Sequence, residues 1–333
     1  MNKQITESSS KQFSLNPNHV RSAIITIVLS VVGYLAFTLW GGWGEVTQAI
    51  VNVGVQGTAI CLLLSLVNFG LRFIRWQHYL SLLGNNIPWV KSWNIYIAGY
   101  SLTTTPGKAG EALRSIFLKD YGMSYRKSLG AFFAERTSDL ISVVILSTLG
   151  LGLYREGIYL VVLVAFFLIG AIYTVHNDKW LKTLENLAKR KLPERFAPMI
   201  QFSLEMIIAF RSCYTWKSLS YGVFLGVVAW AAEGFAFHYI LRSLGADIGL
   251  VSALFIYNFS LLIGSLSFLP GGLGGAEIAL WQLLLLYGQP NSLTIAVTIV
   301  IRLTTLWFSV ILGLIMLAPC FKDMKKMAAQ PIV

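Results

Sequence analysis

Eight ionisable side chains lie inside or at the edges of long apolar stretches: Glu111, Arg114, Glu135, Arg136, Asp139, Glu233, Glu277 and Arg302. An Asp, Lys or Arg at the centre of a membrane helix costs roughly 2.5–3.5 kcal/mol to insert. Eight of them stranded in hydrocarbon would cost on the order of 20 kcal/mol, more than the folding stability of most domains. They must therefore face one another or a polar cavity. Arg114, Arg136 and Arg302 can hold a phosphate or phosphodiester by forked, charge-assisted hydrogen bonds. Glu111, Glu277, Glu135 and Asp139 can orient those arginines, accept an amine or a sugar hydroxyl, or carry a coupling proton. Glu135, Arg136 and Asp139 share part of one helix face, and Glu111 and Arg114 lie one turn apart. Glu233 has no basic residue near it in sequence and reads as a bundle-locking group. Pairing that only locks the bundle is the competing reading for the whole set.

Two Pro-Gly breaks accompany these charges. The first is Thr105-Pro106-Gly107-Lys108-Ala109-Gly110-Glu111; the second is Leu269-Pro270-Gly271-Gly272-Leu273-Gly274-Gly275-Ala276-Glu277. Each acid is followed by an arginine 25 residues later, Arg136 after Glu111 and Arg302 after Glu277. Pro at a helix start and Gly in the turn let two half-helices face each other, and their first N–H groups form an anion site. A tight turn alone is the competing explanation of either break. Both breaks followed by the same acid-to-arginine spacing argue for a repeated functional unit. The candidate substrate-binding residues are Pro106, Gly107, Gly110, Glu111, Arg114, Glu135, Arg136, Asp139, Pro270, Gly271, Gly272, Gly274, Glu277 and Arg302.

The elements that must carry these residues are membrane helices. The chain has 333 residues, 56% hydrophobic and 12% charged, whereas a soluble domain carries about 25% charged residues. Six apolar stretches (23–40, 51–74, 128–153, 158–176, 215–241 and 293–318) are near or above the ~20 residues that cross a bilayer. Two more, 93–119 and 250–287, are broken in the middle by the Pro-Gly motifs and read as re-entrant hairpins. The expected fold is an all-α polytopic membrane protein with six full transmembrane helices and two broken-helix hairpins, eight hydrophobic segments in all. Residues 1–333 form a single integral membrane domain, with repeat halves at 51–153 and 215–318. Eight full crossings would give the same end orientation.

Charge placement orients the chain. The net charge is +11, which in a soluble protein would suggest nucleic acid. Here, with the N-terminus in the cytoplasm, all but four of the 26 basic residues fall on the cytoplasmic side, Arg72, Arg75 and Arg114 among them. Arg155 and Arg242 lie outside, and Arg136 and Arg302 within spans. That is the positive-inside pattern, N-in and C-in. The two hairpins then enter from opposite faces, an inverted repeat of the kind that marks transporter binding sites. Residues 1–20 form a polar tail and 320–333 a basic tail. Residues 178–200 read as one amphipathic cytoplasmic helix, lying on the inner leaflet or packed as a stalk. Trp40, Trp43, Trp76, Trp89 and Trp93 read as interfacial aromatics. Cys61, Cys213 and Cys320 are too scattered for a metal knuckle or disulfide framework. No P-loop, nucleophile elbow or zinc cluster is present, so no cofactor is expected.

Taken together, Thr105-Pro106-Gly107-x-x-Gly110-Glu111-x-x-Arg114, Glu135-Arg136-x-x-Asp139, Pro270-Gly271-Gly272-x-Gly274-x-x-Glu277 and Arg302 resemble the flippase-like membrane domain of lysylphosphatidylglycerol synthases. They also resemble stand-alone bacterial and archaeal membrane proteins grouped with it. The resemblance covers about residues 20–320. It implies a domain of the cytoplasmic membrane that moves aminoacylated phospholipid, or a polyprenyl-linked or glycosylated lipid, between leaflets. The chain ends at Val333, so the expectation is a member without the aminoacyl-transferase domain of the bifunctional synthases. The expected partners are an anionic phospholipid or polyprenyl-phosphate lipid and a coupling proton, with homo-oligomerisation compatible. A membrane enzyme that modifies a phospho-lipid and a structural scaffold are the alternatives.

Overall fold

The computed structural model of this chain describes residues 43–105, 111–152, 154–191, 196–267 and 269–328. The expected span 23–40, the tail 1–20 and the motif residues Pro106, Gly107 and Gly110 lie outside them. Among the described residues every regular element is helical. Long apolar stretches leave no alternative, because backbone groups in hydrocarbon must be satisfied within their own segment. The molecule is an all-α membrane protein.

Helix α1 (Trp43–Leu82) is interrupted at Gly54, whose φ of 70° and ψ of 175° break the winding. Residues 55–82 form its long arm, about 42 Å at 1.5 Å per residue. Helix α2 (Trp89–Ala98) tightens into a 3-10 turn at Gly99–Leu102, and the short α3 (Arg114–Lys119) follows the first Pro-Gly break. Helix α4 (Tyr125–Ser147) starts at Ser124, whose hydroxyl accepts the Lys127 amide. Then come α5 (Gly157–His176), α6 (Asp178–Lys191) and α7 (Ala197–Cys213). Helix α8 (Trp216–Ser243) is capped by Thr215. The second broken pair is α9 (Leu250–Leu266) and α10 (Gly275–Leu286), joined through the turn Pro270–Gly272. The last run is α11 (Asn291–Arg302), a π-helical turn at Leu303–Trp307, and α12 (Phe308–Ala328).

Among the described residues four helical runs are long and apolar enough to cross a bilayer: Gly44–Leu82, Gly157–His176, Trp216–Ser243 and Asn291–Lys326. Helix α4 has the length but carries Arg126, Lys127, Glu135, Arg136 and Asp139, so its place in the bundle depends on its partners. It packs against α7, α8 and α9, while α1 lies along α8 and α2 along α12.

Two apolar clusters occupy opposite ends of the bundle. One gathers Val53 near the start of α1, Leu146 at the end of α4, Leu241 and Ile248 before α9, and Leu284 and Tyr287 at the end of α10. The other gathers Leu80 and Leu83 at the end of α1, Ile87 before α2, Met123 after α3, Cys213 and Cys320. At this second end the Asn85 side chain donates to the Tyr121 carbonyl at 3.1 Å. The loops flanking the first broken segment therefore lie side by side.

Across 178–200 the described residues belong to two helical elements. Helix α6 stops at Lys191, and α7 starts at Ala197 and runs on to Cys213. Pro198 suits the first turn of α7.

The tips of the two broken pairs meet. A Cβ on Gly271 would stand 3.2 Å from the Thr104 Cα. Gly271, Gly272 and Gly274 have φ values of 62°, 69° and 89°, a region that residues with a Cβ rarely occupy. The glycines of the second motif make this chain reversal possible.

Candidate functional site

The charges of α4 lie against α1. Along α1 the residues Ser65, Asn68, Arg72, Arg75 and Tyr79 recur at helical spacing on one buried face. Asn68 donates to the Ala229 carbonyl at 2.9 Å. Arg72 Nη2 donates to Asp139 Oδ2 at 2.8 Å, and Arg75 Nη2 to Asp139 Oδ1 at 2.5 Å. Trp230 Nε1 donates to the same carboxylate at 3.3 Å, and Arg136 Nη2 lies 3.0 Å from it. Asp139 thus holds three guanidinium groups from two helices.

Glu135 and Glu111 extend the cluster toward the first break. Glu135 Oε1 accepts from Tyr96 at 2.8 Å and from Arg136 Nη2 at 2.9 Å. Its Oε2 lies 2.9 Å from Arg114 Nη1. Glu111 accepts from Thr103 at 2.9 Å and from Arg114 Nη2 at 3.3 Å, with Arg136 Nη2 at 3.5 Å. The Arg114 guanidinium stacks over Trp76 and Tyr96, 4.5 and 4.9 Å from the ring centroids, contacts that favour a desolvated cation. Four arginines (72, 75, 114 and 136) surround three carboxylates (111, 135 and 139), and a further carboxylate, Glu233, faces the same cavity. The Arg136 side chain is 18% exposed, against 9% or less for the other six.

The second break has a simpler arrangement. Arg302 Nε donates to Glu277 Oε1 at 2.5 Å. Glu277 Oε2 accepts the Gly274 amide at 2.7 Å and so caps α10, as an acid at the third helical position can. Glu111 is held instead by side chains from both sides of the first break, Thr103 and Arg114. Glu233 accepts from the Tyr257 hydroxyl at 2.5 Å.

A cavity of about 240 Å³ lies between the halves. Arg136 and Glu111 face it from the first, Arg302, Gly271 and Gly272 from the second, and Glu233 and Tyr257 from α8 and α9. Asp139 and Arg72 also reach it. Arg114, Glu135, Gly274 and Glu277 stand behind this wall, and Pro270 opens the 3-10 turn beside it. Pockets for drug-sized ligands usually run to ≈ 300–1,000 Å³, so this one is somewhat smaller than those.

Three assignments change with the structure. Arg72 and Arg75, counted from sequence among the cytoplasmic loop charges, are 3% and 0% exposed and belong to the cluster. Arg114 is likewise buried, at 1%. Trp76, read as an interfacial indole, is fully buried under Arg114. The signal for the first pair was present: Ser65, Asn68, Arg72 and Arg75 make a polar stripe on an otherwise apolar helix.

The residues that build this site lie within a stretch, 23–313, that matches the lysylphosphatidylglycerol synthase TM region. The chain belongs to that family. Among similar proteins is a UPF0104 membrane protein of Pyrococcus horikoshii, 24% identical over 316 residues, covering 87% of this chain and 94% of the relative. Two UPF0104 membrane proteins of Methanothermobacter thermautotrophicus are each 25% identical, over 320 and 315 residues. They cover 86% and 87% of this chain, and 90% and 93% of their own lengths. As a member of the synthase TM-region family, this chain keeps its four-arginine cluster within the matched stretch.

Proposed function

We propose that this protein moves an anionic lipid, a phospholipid or a polyprenyl-phosphate-linked lipid, between leaflets of the bacterial or archaeal cytoplasmic membrane. One observation carries the reading. A buried network of four arginines and three carboxylates opens to a cavity shared by both halves through its most exposed member, Arg136. A guanidinium facing such a cavity can take a phosphate by forked, charge-assisted hydrogen bonds. Arg302 faces the same cavity from the other half, so a phosphate can be handed from one arginine to the other. The relatives' family supports a lipid-facing role for the same region, and the cavity argues against a scaffold with a solid centre.

The two end clusters support re-entrant hairpins that enter from opposite faces. The loops before α2 and after α3 meet at one end, and those before α9 and after α10 share the cluster at the other. The first of these ends carries Lys91, Arg126, Lys127, Arg211 and Lys217 and is assigned to the cytoplasm, giving N-in and C-in. Movement is downhill or ion-coupled, with Glu111 and Glu277 as the acids that would take a proton as the phosphate arrives.

Reconstitution tests the reading. In liposomes carrying a fluorescent, short-chain phosphatidylglycerol, the wild-type protein should speed exposure of inner-leaflet label to a membrane-impermeant quencher. Arg136→Gln should remove that effect while the protein stays folded. Exchange unchanged in Arg136→Gln would overturn the assignment, and chemically altered lipid would point to an enzyme.

A further inference from the structure

A second recess, of about 1080 Å³, shares no lining residue with the central cavity among the described residues. It lies where the end of α1 meets the starts of α2 and α8. Gln77 and His78 come from α1, Asn86 and Trp89 from the start of α2, and Lys217 and Tyr221 from the first turns of α8.

The recess has a polar and an apolar side. His78 Nε2 lies 3.1 Å from Ser218 Oγ, and its ring meets Tyr221 edge-on with centroids 5.3 Å apart. This fixes the imidazole at the wall. Lys217 is exposed in the first turn of α8. Helix α2 begins after Pro88 without a side-chain cap, so its first amides and the positive end of its dipole add to the same side. Ile74 and Leu82 make the apolar side with Trp89, which is 62% exposed. Trp216, next to Lys217, is 84% exposed. Exposed indoles beside a lysine at the ends of membrane helices mark the headgroup level of a bilayer.

We infer that this recess binds one phospholipid of the adjacent leaflet, separately from the lipid in the central cavity. The phosphate meets Lys217 and the start of α2, and an acyl chain runs along Ile74 and Tyr221. A soluble anion would use the polar side alone and leave the exposed aromatic side uncovered, so the occupant is a lipid. Its position at the foot of α2, the arm that leads to Thr103 and Glu111, puts this lipid at the mouth of the first hairpin.

Native mass spectrometry of the full chain in detergent, titrated with dioleoylphosphatidylglycerol, tests the inference. Two bound lipids are expected for the wild type. Lys217→Glu should weaken one of them by about tenfold or more, since the reversal removes one near-surface attraction and adds a repulsion. Arg136→Gln should weaken only the other, so failure at the recess and failure at the cavity are read apart. Lys217→Glu binding both lipids like the wild type overturns the recess site. So does equal uptake of dioleoylglycerol, which has no phosphate, or displacement of the recess lipid by millimolar inorganic phosphate.

Discussion

Glu277 and Arg302 stand 25 residues apart in the chain and 2.5 Å apart in space, carboxylate Oε1 to guanidinium Nε. Glu111 and Arg136 have the same spacing and lie 3.5 Å apart. A constant spacing between a break and the following helix puts an arginine back at the tip of each broken pair. The two differ in company: Glu277 also caps α10 through Gly274, whereas Glu111 sits among arginines from α3 and α4. One half is a tied pair and the other a network.

Because the Glu277–Arg302 pair is buried, removing one partner breaks a close ion pair away from water. Glu277→Gln and Arg302→Gln should each lower stability by about 3–5 kcal/mol. The double variant should lose less than the sum, since the same ion pair is then lost only once. Chemical unfolding in detergent measures all three. Strictly additive losses would mean that the pair does not act as a unit.

Asp139 has a larger role than its family motif suggests. It touches Arg72, Arg75 and Arg136 at 2.5–3.0 Å, and Asp139→Asn would leave three guanidinium groups short of a counter-charge. The expected outcome is loss of most folded protein, read as the monodisperse fraction in size-exclusion chromatography. Glu233→Gln should be milder, because its amide oxygen still accepts from Tyr257. Similar yields for the two variants would contradict this ranking.

Periodicity and motif spacing make much of this legible in sequence. The Pro-Gly breaks and the Glu-to-Arg spacing single out Glu111, Arg136, Glu277 and Arg302, and the structure pairs them. Arg72 and Arg75 are harder to read, because basic residues at the end of an apolar run look the same whether the helix stops or continues. Here it continues to Leu82, and the two arginines turn inward toward Asp139. Trp76 is misread for the related reason that an indole suits an interface or a guanidinium equally well. The partners Tyr96, Tyr100 and Thr103 leave no sequence signal, since hydroxyl residues are common in membrane helices.

Topology can be read with introduced cysteines, because Cys61, Cys213 and Cys320 are buried and give little background. Asn86→Cys, Asp120→Cys and Asn186→Cys should react with an impermeant maleimide only from the cytoplasmic side. Glu45→Cys, Glu156→Cys, Asp247→Cys and Ser292→Cys should react only from outside. Opposite labelling of positions 86 and 120 would turn the first broken segment into a full crossing.

Helix α12 comes close to the backbone of the first broken segment at Gly313. A Cβ there would stand 2.2 Å from the Ser101 amide nitrogen and 2.7 Å from the Tyr100 carbonyl carbon. Both are backbone atoms, so no rotamer change can relieve the overlap, and α12 or the hairpin must move. Gly313→Ala should therefore destabilise by about 1–3 kcal/mol, the usual cost of overpacking. Tyr100 and Thr103 line the central cavity, so lipid movement per folded molecule should fall as well. Gly170→Ala is the control, because nothing lies within 4 Å of its added methyl and alanine favours the helix by about 0.8–1.0 kcal/mol. Thermal unfolding in detergent, followed by the liposome exchange measurement, compares the two. If Gly313→Ala melts with Gly170→Ala and transports like the wild type, the hairpin is not held by α12, and its position at the cavity has another cause.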